Sequence, residues 1–148
     1  TGVDLVVTGR LEDEKLLNSI SHLPNITYLG FLEHGRVLAI ESNSDAVVAL
    51  YDLNSNTQNK YVVGNKLFEA MMCGTPIITN VATEIVNETQ CGMIVKYDAE
   101  DISQAILTLR DNPEFRKKLG DNGRKAFLQK YNWTAMEGKL FDIYKDLI

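Results

Sequence analysis

The chain has 148 residues, and its 15 Lys and Arg against 20 Asp and Glu give a formal net charge of −5. The acidic balance argues against a nucleic-acid binder, because no basic stripe remains to neutralise phosphates. Two cysteines without metal-type spacing exclude a disulfide scaffold, and no apolar run approaches the ~20 residues of a membrane span. The chain opens at Thr1 without Met or signal peptide and almost at once enters a strand, which is typical of a piece of a longer protein.

Short β-branched runs alternate with helical patterns. The predicted strands cover residues 5–8, 26–29, 46–51, 76–79 and 93–95. Apolar spacing predicts helices around residues 16–20 and from 37 onward, and a third over 65–73 that Gly74 and Pro76 close. Several strands are continuously apolar, as in sheets covered on both faces. The sequence therefore predicts an α/β fold with a doubly wound parallel sheet, helices on both faces and a helical C-terminal tail.

The C-terminal third reads as helical throughout. Asp98 is predicted to cap one helix, and Asn112 followed by Pro113 to start a short helix that ends near Gly120. Another helix is predicted over 124–131. Thr134 is expected to open a capping box for a last helix whose apolar side chains face inward: Met136, Leu140, Ile143, Tyr144 and Leu147. The stretch 52–63, rich in Asn, Ser, Thr and Gln, is predicted to be a loop that is either functional or mobile.

The candidate site is the segment from Gly64 to Glu69. A glycine and free backbone amides at a helix N-terminus form an anion site, and Lys66 adds a cation. Glu69 lies about one turn into the helix, where a carboxylate can accept hydrogen bonds from two vicinal hydroxyls. This spacing suits a nucleotide. The blander alternative is an ordinary helix cap followed by a solvent-facing glutamate, and the spacing alone leaves both open.

The same segment is similar to a family signature. Residues 64–76, followed by Ile77, Ile78 and Thr79, resemble the motif of family-4 (group 1) retaining glycosyltransferases of the GT-B fold. Segments 4–10, 24–31, 90–95, 111–114 and 131–133 resemble the family's strands and tail in the same order. The resemblance implies a single Rossmann-like donor-binding domain over residues 1–148. It also implies that this domain's first strand and helix, and an N-terminal acceptor domain, lie outside the chain.

The resemblance assigns roles residue by residue. Glu69 occupies the motif's second glutamate and resembles an acceptor of ribose hydroxyls, whereas Tyr61 stands where the family's first glutamate contacts the donor sugar. Gly64 matches the motif's glycine, and Lys66 resembles a lysine that meets the diphosphate. The amides of Asn65, Lys66 and Leu67 are expected to face the phosphates. Gly30, Phe31 and Leu32 correspond to the family's loop that borders the nucleotide base. The alternative is that Phe31 is a core residue.

The implied reaction is transfer of a sugar from a UDP- or GDP-linked donor to a glycan or lipid-linked acceptor with retention, in polysaccharide or cell-surface glycan synthesis. No cofactor, metal or catalytic residue is expected in this chain, and no nucleic-acid partner. The resemblance implies that the family's donor-clamping Arg and Lys would lie before Thr1, so the chain alone is expected to be catalytically silent. The expected partners are the donor and the acceptor domain. The expected location is the cytoplasm, with contact at the inner face of the membrane as a minority interpretation.

Alternative interpretations remain for the function and for single residues. A nucleotide-sugar 2-epimerase of the same fold would also place Glu69 on a ribose, and the change at Tyr61 is compatible with a non-catalytic nucleotide-binding or scaffold domain. Cys73 is expected to pack as a small apolar side chain. His22 and His34 have no Cys or carboxylate nearby at metal-ligand spacing, so surface or helix-cap roles are expected for them. A basic cluster is interpreted as a solvated helix face or, alternatively, a membrane contact: Arg116, Lys117, Lys118, Arg124 and Lys125.

Overall fold

The structure, a computed structural model, describes residues 2–54 and 62–145. Strands and helices alternate as predicted, with each of the five strands inside its predicted range except for one residue at the start of β5. The elements in chain order are β1 Leu5–Val7, α1 Glu14–Ser21, β2 Ile26–Tyr28, α2 His34–Ser42, β3 Val47–Ala49, α3 Asn65–Cys73, β4 Ile77–Thr79, α4 Thr83–Thr89, β5 Gly92–Ile94, α5 Ala99–Asp111, α6 Pro113–Ala126, a π-helix Phe127–Tyr131 and α7 Trp133–Lys145.

The chain divides into two compact units, Thr1–Ile40 and Glu41–Ile148. In the first unit β1 and β2 pair in parallel, with Leu5 opposite Ile26. The crossover between them is α1, whose start is capped by the Asp13 carboxylate through the amides of Lys15 and Leu16. The prediction that residues 1–148 form a single Rossmann-like domain stays a prediction.

The second unit holds a parallel sheet in the order β3–β4–β5. Ile77 and Ile78 are neighbours on β4 and belong to two different hydrophobic clusters, so this strand is buried on both faces. Leu67, Ala70 and Met71 of α3 pack in the cluster of Ile77, whereas Ala105 and Leu109 of α5 pack in that of Ile78. The predicted α/β class, with parallel strands, helices on both faces and a helical C-terminal stretch, is confirmed.

Helix α3 matches its prediction at both ends. It begins after Gly64 and ends at Gly74, which adopts a left-handed conformation with φ +72°. The Gly74 amide donates to the Met71 carbonyl, and the Thr75 amide donates to the Ala70 carbonyl. The chain then turns directly into β4. This tight return places the start of α3 and the carboxyl end of β4 at the same end of the sheet.

The helix α4 is not predicted by the sequence patterns, and three other predictions about helices are wrong. The helix that begins at Pro113 does not end near Gly120 but continues to Ala126. The separate helix predicted over 124–131 is wrong as well, because residues 124–126 belong to α6 and the π-helix follows them directly. Asn112 does not cap that helix: its side-chain amide donates to the Thr108 carbonyl at 2.8 Å. Helix α6 continues because Gly120 allows it to pack directly against Gly74 at the end of α3.

The last helix also differs from its prediction. Its first turn is capped by Asn132, whose side-chain oxygen accepts from the Ala135 amide at 3.0 Å, and Thr134 lies inside the helix. The predicted inward face is exposed in this chain: Met136, Leu140, Ile143 and Tyr144. Leu147 lies outside the described residues. Periodicity correctly gave α7 an apolar side, but the described residues provide no cover for it.

Candidate functional site

The start of α3 is an uncapped helix N-terminus. Gly64 occupies the capping position in an extended conformation (φ −70°, ψ 151°) and, lacking a side chain, offers no capping oxygen. The Leu67 amide donates to the Gly64 carbonyl at 3.1 Å. The amides of Asn65 and Lys66 precede the helical hydrogen-bond ladder, as first-turn amides do. The positive end of the helix is therefore presented by Asn65 and Lys66, whereas the amide and the buried side chain of Leu67 serve the helix and the core.

A shallow cleft opens at this helix start. It lies at the carboxyl ends of β3 and β4, and it is lined by Ala49, Tyr51, Gly64, Lys66, Leu67, Ile77, Thr79, Val81 and Ala82. Ligands of open parallel sheets bind at this edge. The geometry therefore brings an anion-binding helix terminus and a cleft together.

Tyr51 forms one wall of the cleft, and Asn80 holds its backbone. The Asn80 side chain accepts from the Tyr51 amide at 2.9 Å and donates to the Tyr51 carbonyl at 2.7 Å. A Cβ at position 64 would overlap the Tyr51 hydroxyl, so the tyrosine side chain would have to move to accept any other residue there. The bonds between Tyr51 and Asn80 span 29 positions of sequence, so local patterns do not assign these two residues to the site.

Lys66 lies between two carboxylates. Its ammonium Nζ is 2.7 Å from Glu41 Oε1 and 2.9 Å from Glu69 Oε2. The Glu41 and Glu69 side chains are only 9% and 15% exposed, whereas that of Lys66 is 42% exposed. Burial alone lowers the pKa of Lys66, but its hydrogen bonds to the two carboxylates outweigh burial and hold the pKa above its ordinary value. The side chain is therefore a cation that borders the cleft.

The pKa of Cys73, at the other end of α3, depends on the charges of Glu41 and Glu69. Burial raises the pKa of the Cys73 thiol, and the negative charges of Glu41 and Glu69 raise it further. We expect Glu41→Gln to lower that pKa, so that alkylation by iodoacetamide at pH 8 becomes about twofold faster. Mass spectrometry of the alkylated peptides separates Cys73 from the buried Cys91. Glu88→Gln is the matched control, since Glu88 also pairs with a lysine, Lys130, at 2.5 Å. An unchanged alkylation rate of Cys73 in Glu41→Gln would contradict the arrangement.

The loop of Gly30, Phe31 and Leu32 lies in the first unit, and residues 64–69 lie in the second. Phe31 is 69% exposed, so the alternative that it is a core residue is wrong. The Arg10 guanidinium lies 5.3 Å from the centre of its ring. An exposed aromatic ring is available to a ligand, but its role in walling a base stays a prediction. Tyr61 lies outside the described residues, as do residues 55–60 of the predicted loop 52–63.

Comparison with known proteins decides the family. The sequence profile described as "Glycosyl transferase-like" matches residues 1–140. This chain belongs to that family. An uncharacterized glycosyltransferase of Methanocaldococcus jannaschii is 25% identical over 97% of the chain and 37% of its own length. The capsular polysaccharide biosynthesis glycosyltransferase CapM of Staphylococcus aureus is 28% identical over 99% of the chain and 38% of its own length.

The fold of this glycosyltransferase-like chain is shared with a solved structure. Sucrose-phosphate synthase from Thermosynechococcus elongatus superposes with a TM-score of 0.78 at 24% identity, over 97% of this chain and 38% of that protein. The likeness shows the fold. The chain spans a little over a third of the length of these relatives, 37% to 38%.

The remaining candidate residues of the glycosyltransferase-like chain have local partners or exposed positions. Arg116 pairs with Asp45 at 3.0 Å, Lys117 pairs with Asp121, and Arg124 donates to the Met72 carbonyl. His22 and His34 are exposed. Within residues 2–54 and 62–145, no group of three or more His, Cys, Asp or Glu is placed to hold a metal ion. Among the described helices, none has the length and apolar character needed to cross a membrane.

Proposed function

We propose that this chain is the donor-binding part of a longer glycosyltransferase and binds the nucleoside diphosphate of a nucleotide sugar at the start of α3. The observation that carries the proposal is the uncapped helix N-terminus, with Lys66 and Glu69 beside it, at the edge of a cleft. The chain's family and the share of its relatives that it spans support a second, acceptor-binding domain in the same protein.

In this proposal the diphosphate accepts hydrogen bonds from the first-turn amides of Asn65 and Lys66. The positive helix end and the Lys66 ammonium stabilise the negative charge that grows on the diphosphate as the sugar leaves. An ammonium has three N–H donors, and Glu41 and Glu69 engage two of them. The third is available to a phosphate oxygen. The contribution of this domain is therefore positioning and charge stabilisation, and activation of the acceptor belongs to the other domain.

Glu69 is proposed to accept hydrogen bonds from the two ribose hydroxyls. It lies on the turn of α3 after the phosphate-binding amides, and its carboxylate is partly buried. Donation by a diol to an ionised carboxylate is a charge-assisted interaction, stronger than one between neutral groups. Retention at the anomeric carbon, a UDP or GDP donor and the absence of a metal requirement belong to the same proposal, on the strength of the motif at residues 64–76.

The proposal includes a cytoplasmic location at the inner face of a membrane, where a lipid-linked acceptor would be reached. Lys118 and Lys125 of α6 are exposed and add positive charge to that helix surface. The relative named for capsular polysaccharide biosynthesis supports a glycan as the product.

Titration of the chain with UDP, GDP and ADP tests the proposal. We expect one of the three to bind, and Lys66→Met to weaken that binding about tenfold because a charge-assisted contact to phosphate is lost. Lys118→Met is the matched control, since Lys118 is an exposed lysine on a different helix, and it should bind like the wild type. Isothermal calorimetry or NMR titration measures the affinities. Absence of binding to all three nucleotides would refute the proposal.

A further inference from the structure

Glu41 is a buried acid outside the motif that carries the proposed function. It belongs to α2, is 7% exposed as a residue, and follows the first unit directly at the start of the second. Its Oε1 accepts from Lys66 at 2.7 Å. Its Oε2 is buried without a hydrogen-bond partner among residues 2–54 and 62–145. Burying a carboxylate is costly unless it is paired, so the interaction with Lys66 is what compensates this charge.

The backbone of Glu41 is also fixed. The hydroxyl of Thr75 donates to the Glu41 carbonyl at 2.8 Å, and Thr75 itself is buried between Gly74 and Pro76 at the return from α3 to β4. The end of α2 is thereby attached to the end of α3, the helix that carries Lys66. The backbone from which the Glu41 carboxylate extends is therefore fixed relative to α3.

We propose that Glu41 is a positioning residue for Lys66 in diphosphate binding; this inference rests on the proposed function. A free lysine side chain loses rotamer freedom when it binds a phosphate. Here two carboxylates order the ammonium before a ligand arrives, and one N–H remains for the phosphate. Glu41 acts through Lys66, because its own side chain is too deeply buried to border the cleft.

Glu41 is needed in addition to Glu69 because Glu69 has a second task. When the ribose hydroxyls donate to Glu69, its oxygens are shared between the diol and Lys66. Glu41 has no such competitor and keeps one oxygen on the ammonium throughout. Without it, Lys66 would depend on Glu69 alone, and phosphate binding would compete with ribose binding for the same carboxylate.

The test compares a nucleoside diphosphate with its parent nucleoside by NMR titration, which follows affinities into the millimolar range. The nucleotide is whichever of UDP, GDP and ADP binds the wild-type chain. Glu41→Gln keeps the shape and removes the charge, and we expect it to weaken nucleotide binding about fivefold because only one carboxylate still orders Lys66. Binding of the nucleoside should stay within about twofold, because the nucleoside lacks the phosphates that Lys66 contacts.

Three further variants separate positioning from a structural role. In a Lys66→Met background, Glu41→Gln should have no additional effect on the ratio of the two affinities, since the residue it positions is gone. Glu41→Asp keeps the charge and should recover most of the nucleotide affinity. Glu88→Gln removes the carboxylate of a Glu–Lys pair on α4 and should change neither ligand's affinity.

The outcomes are distinguishable. Equal losses for nucleotide and nucleoside, or a loss that persists in the Lys66→Met background, would make Glu41 a structural residue and overturn the positioning role. Unchanged nucleotide binding in Glu41→Gln would also overturn the positioning role. Tighter binding would overturn it too, because Glu41 would then compete with the phosphate for Lys66. In both cases the proposed function stands if the wild-type chain binds. Failure of the wild-type chain to bind UDP, GDP and ADP overturns the proposed function and this inference together.

Discussion

Gly120→Ala is expected to lower the free energy of unfolding by about 3 kcal/mol, because a methyl group at this position would have no room. A Cβ on Gly120 would overlap the Gly74 carbonyl oxygen and lie 3.0 Å from its carbonyl carbon. Both obstacles are backbone atoms of the turn that ends α3, so no side chain can move aside to relieve the overlap. Helix α6 would have to move away from α3, and this movement would also loosen the packing of the buried Leu119 and Gly123.

The chain offers a matched control in Gly138, which is also inside a helix, α7. A Cβ there would meet no atom within 4 Å. Gly138→Ala should therefore show only the helix-propensity gain and raise the free energy of unfolding by up to about 1 kcal/mol. Urea unfolding followed by circular dichroism at 222 nm measures both variants. If the two substitutions had the same effect, the close approach of α6 to α3 would be wrong.

Gly120 also shows why the sequence predicted α6 incorrectly. Glycine commonly ends a helix, and Gly74 does so at the end of α3 with a left-handed conformation. At Gly120 the same residue type serves a tertiary contact instead, and the helix continues through it. A sequence pattern cannot distinguish the two uses, because the second depends on which element passes alongside.

Helix α4 was missed for a local reason. It starts after Ala82 and ends at Gln90, both left-handed (φ +53° and +52°) without being glycine, and Ala82 offers no capping side chain. The usual start and stop signals are thus absent from the sequence. By contrast, β4 was predicted because a short continuous apolar run before Thr79 is typical of a strand covered on both faces.

The candidate site, too, could be predicted from the sequence only where its residues are contiguous. The contiguous segment from Gly64 to Glu69 could be predicted, because a glycine, a lysine and a glutamate at fixed helical spacing have a local meaning. Glu41 could not, since its bond to Lys66 spans 25 positions of sequence and depends on α2 ending beside α3. Patterns of apolar residues predict which faces are buried. They do not predict which buried acid meets which cation.

Glu69→Gln is expected to weaken nucleotide binding by about 10- to 100-fold, because the ribose hydroxyls would donate to a neutral amide oxygen instead of a carboxylate. The fold should tolerate the change, since glutamine has the same shape and Lys66 keeps its contact with Glu41. Glu100→Gln, an exposed glutamate in the first turn of α5, is the matched control and should bind as the wild type does. Isothermal calorimetry or NMR titration gives the affinities.

Comparing the affinities of different ligands shows which part of the nucleotide Glu69 contacts. If it accepts from the ribose hydroxyls, Glu69→Gln should weaken binding of the nucleoside as well as of the nucleotide, and of the nucleotide somewhat more, because Glu69 also orders Lys66. Lys66→Met should weaken only the nucleotide. Removing the 2′-hydroxyl from the ligand should weaken binding to the wild type but have little further effect in Glu69→Gln, since that contact is already lost. A Glu69→Gln variant that binds like the wild type, or that still discriminates fully against the 2′-deoxy ligand, would remove Glu69 from the site. The phosphate contacts at Asn65 and Lys66 would then need a ribose-binding residue elsewhere.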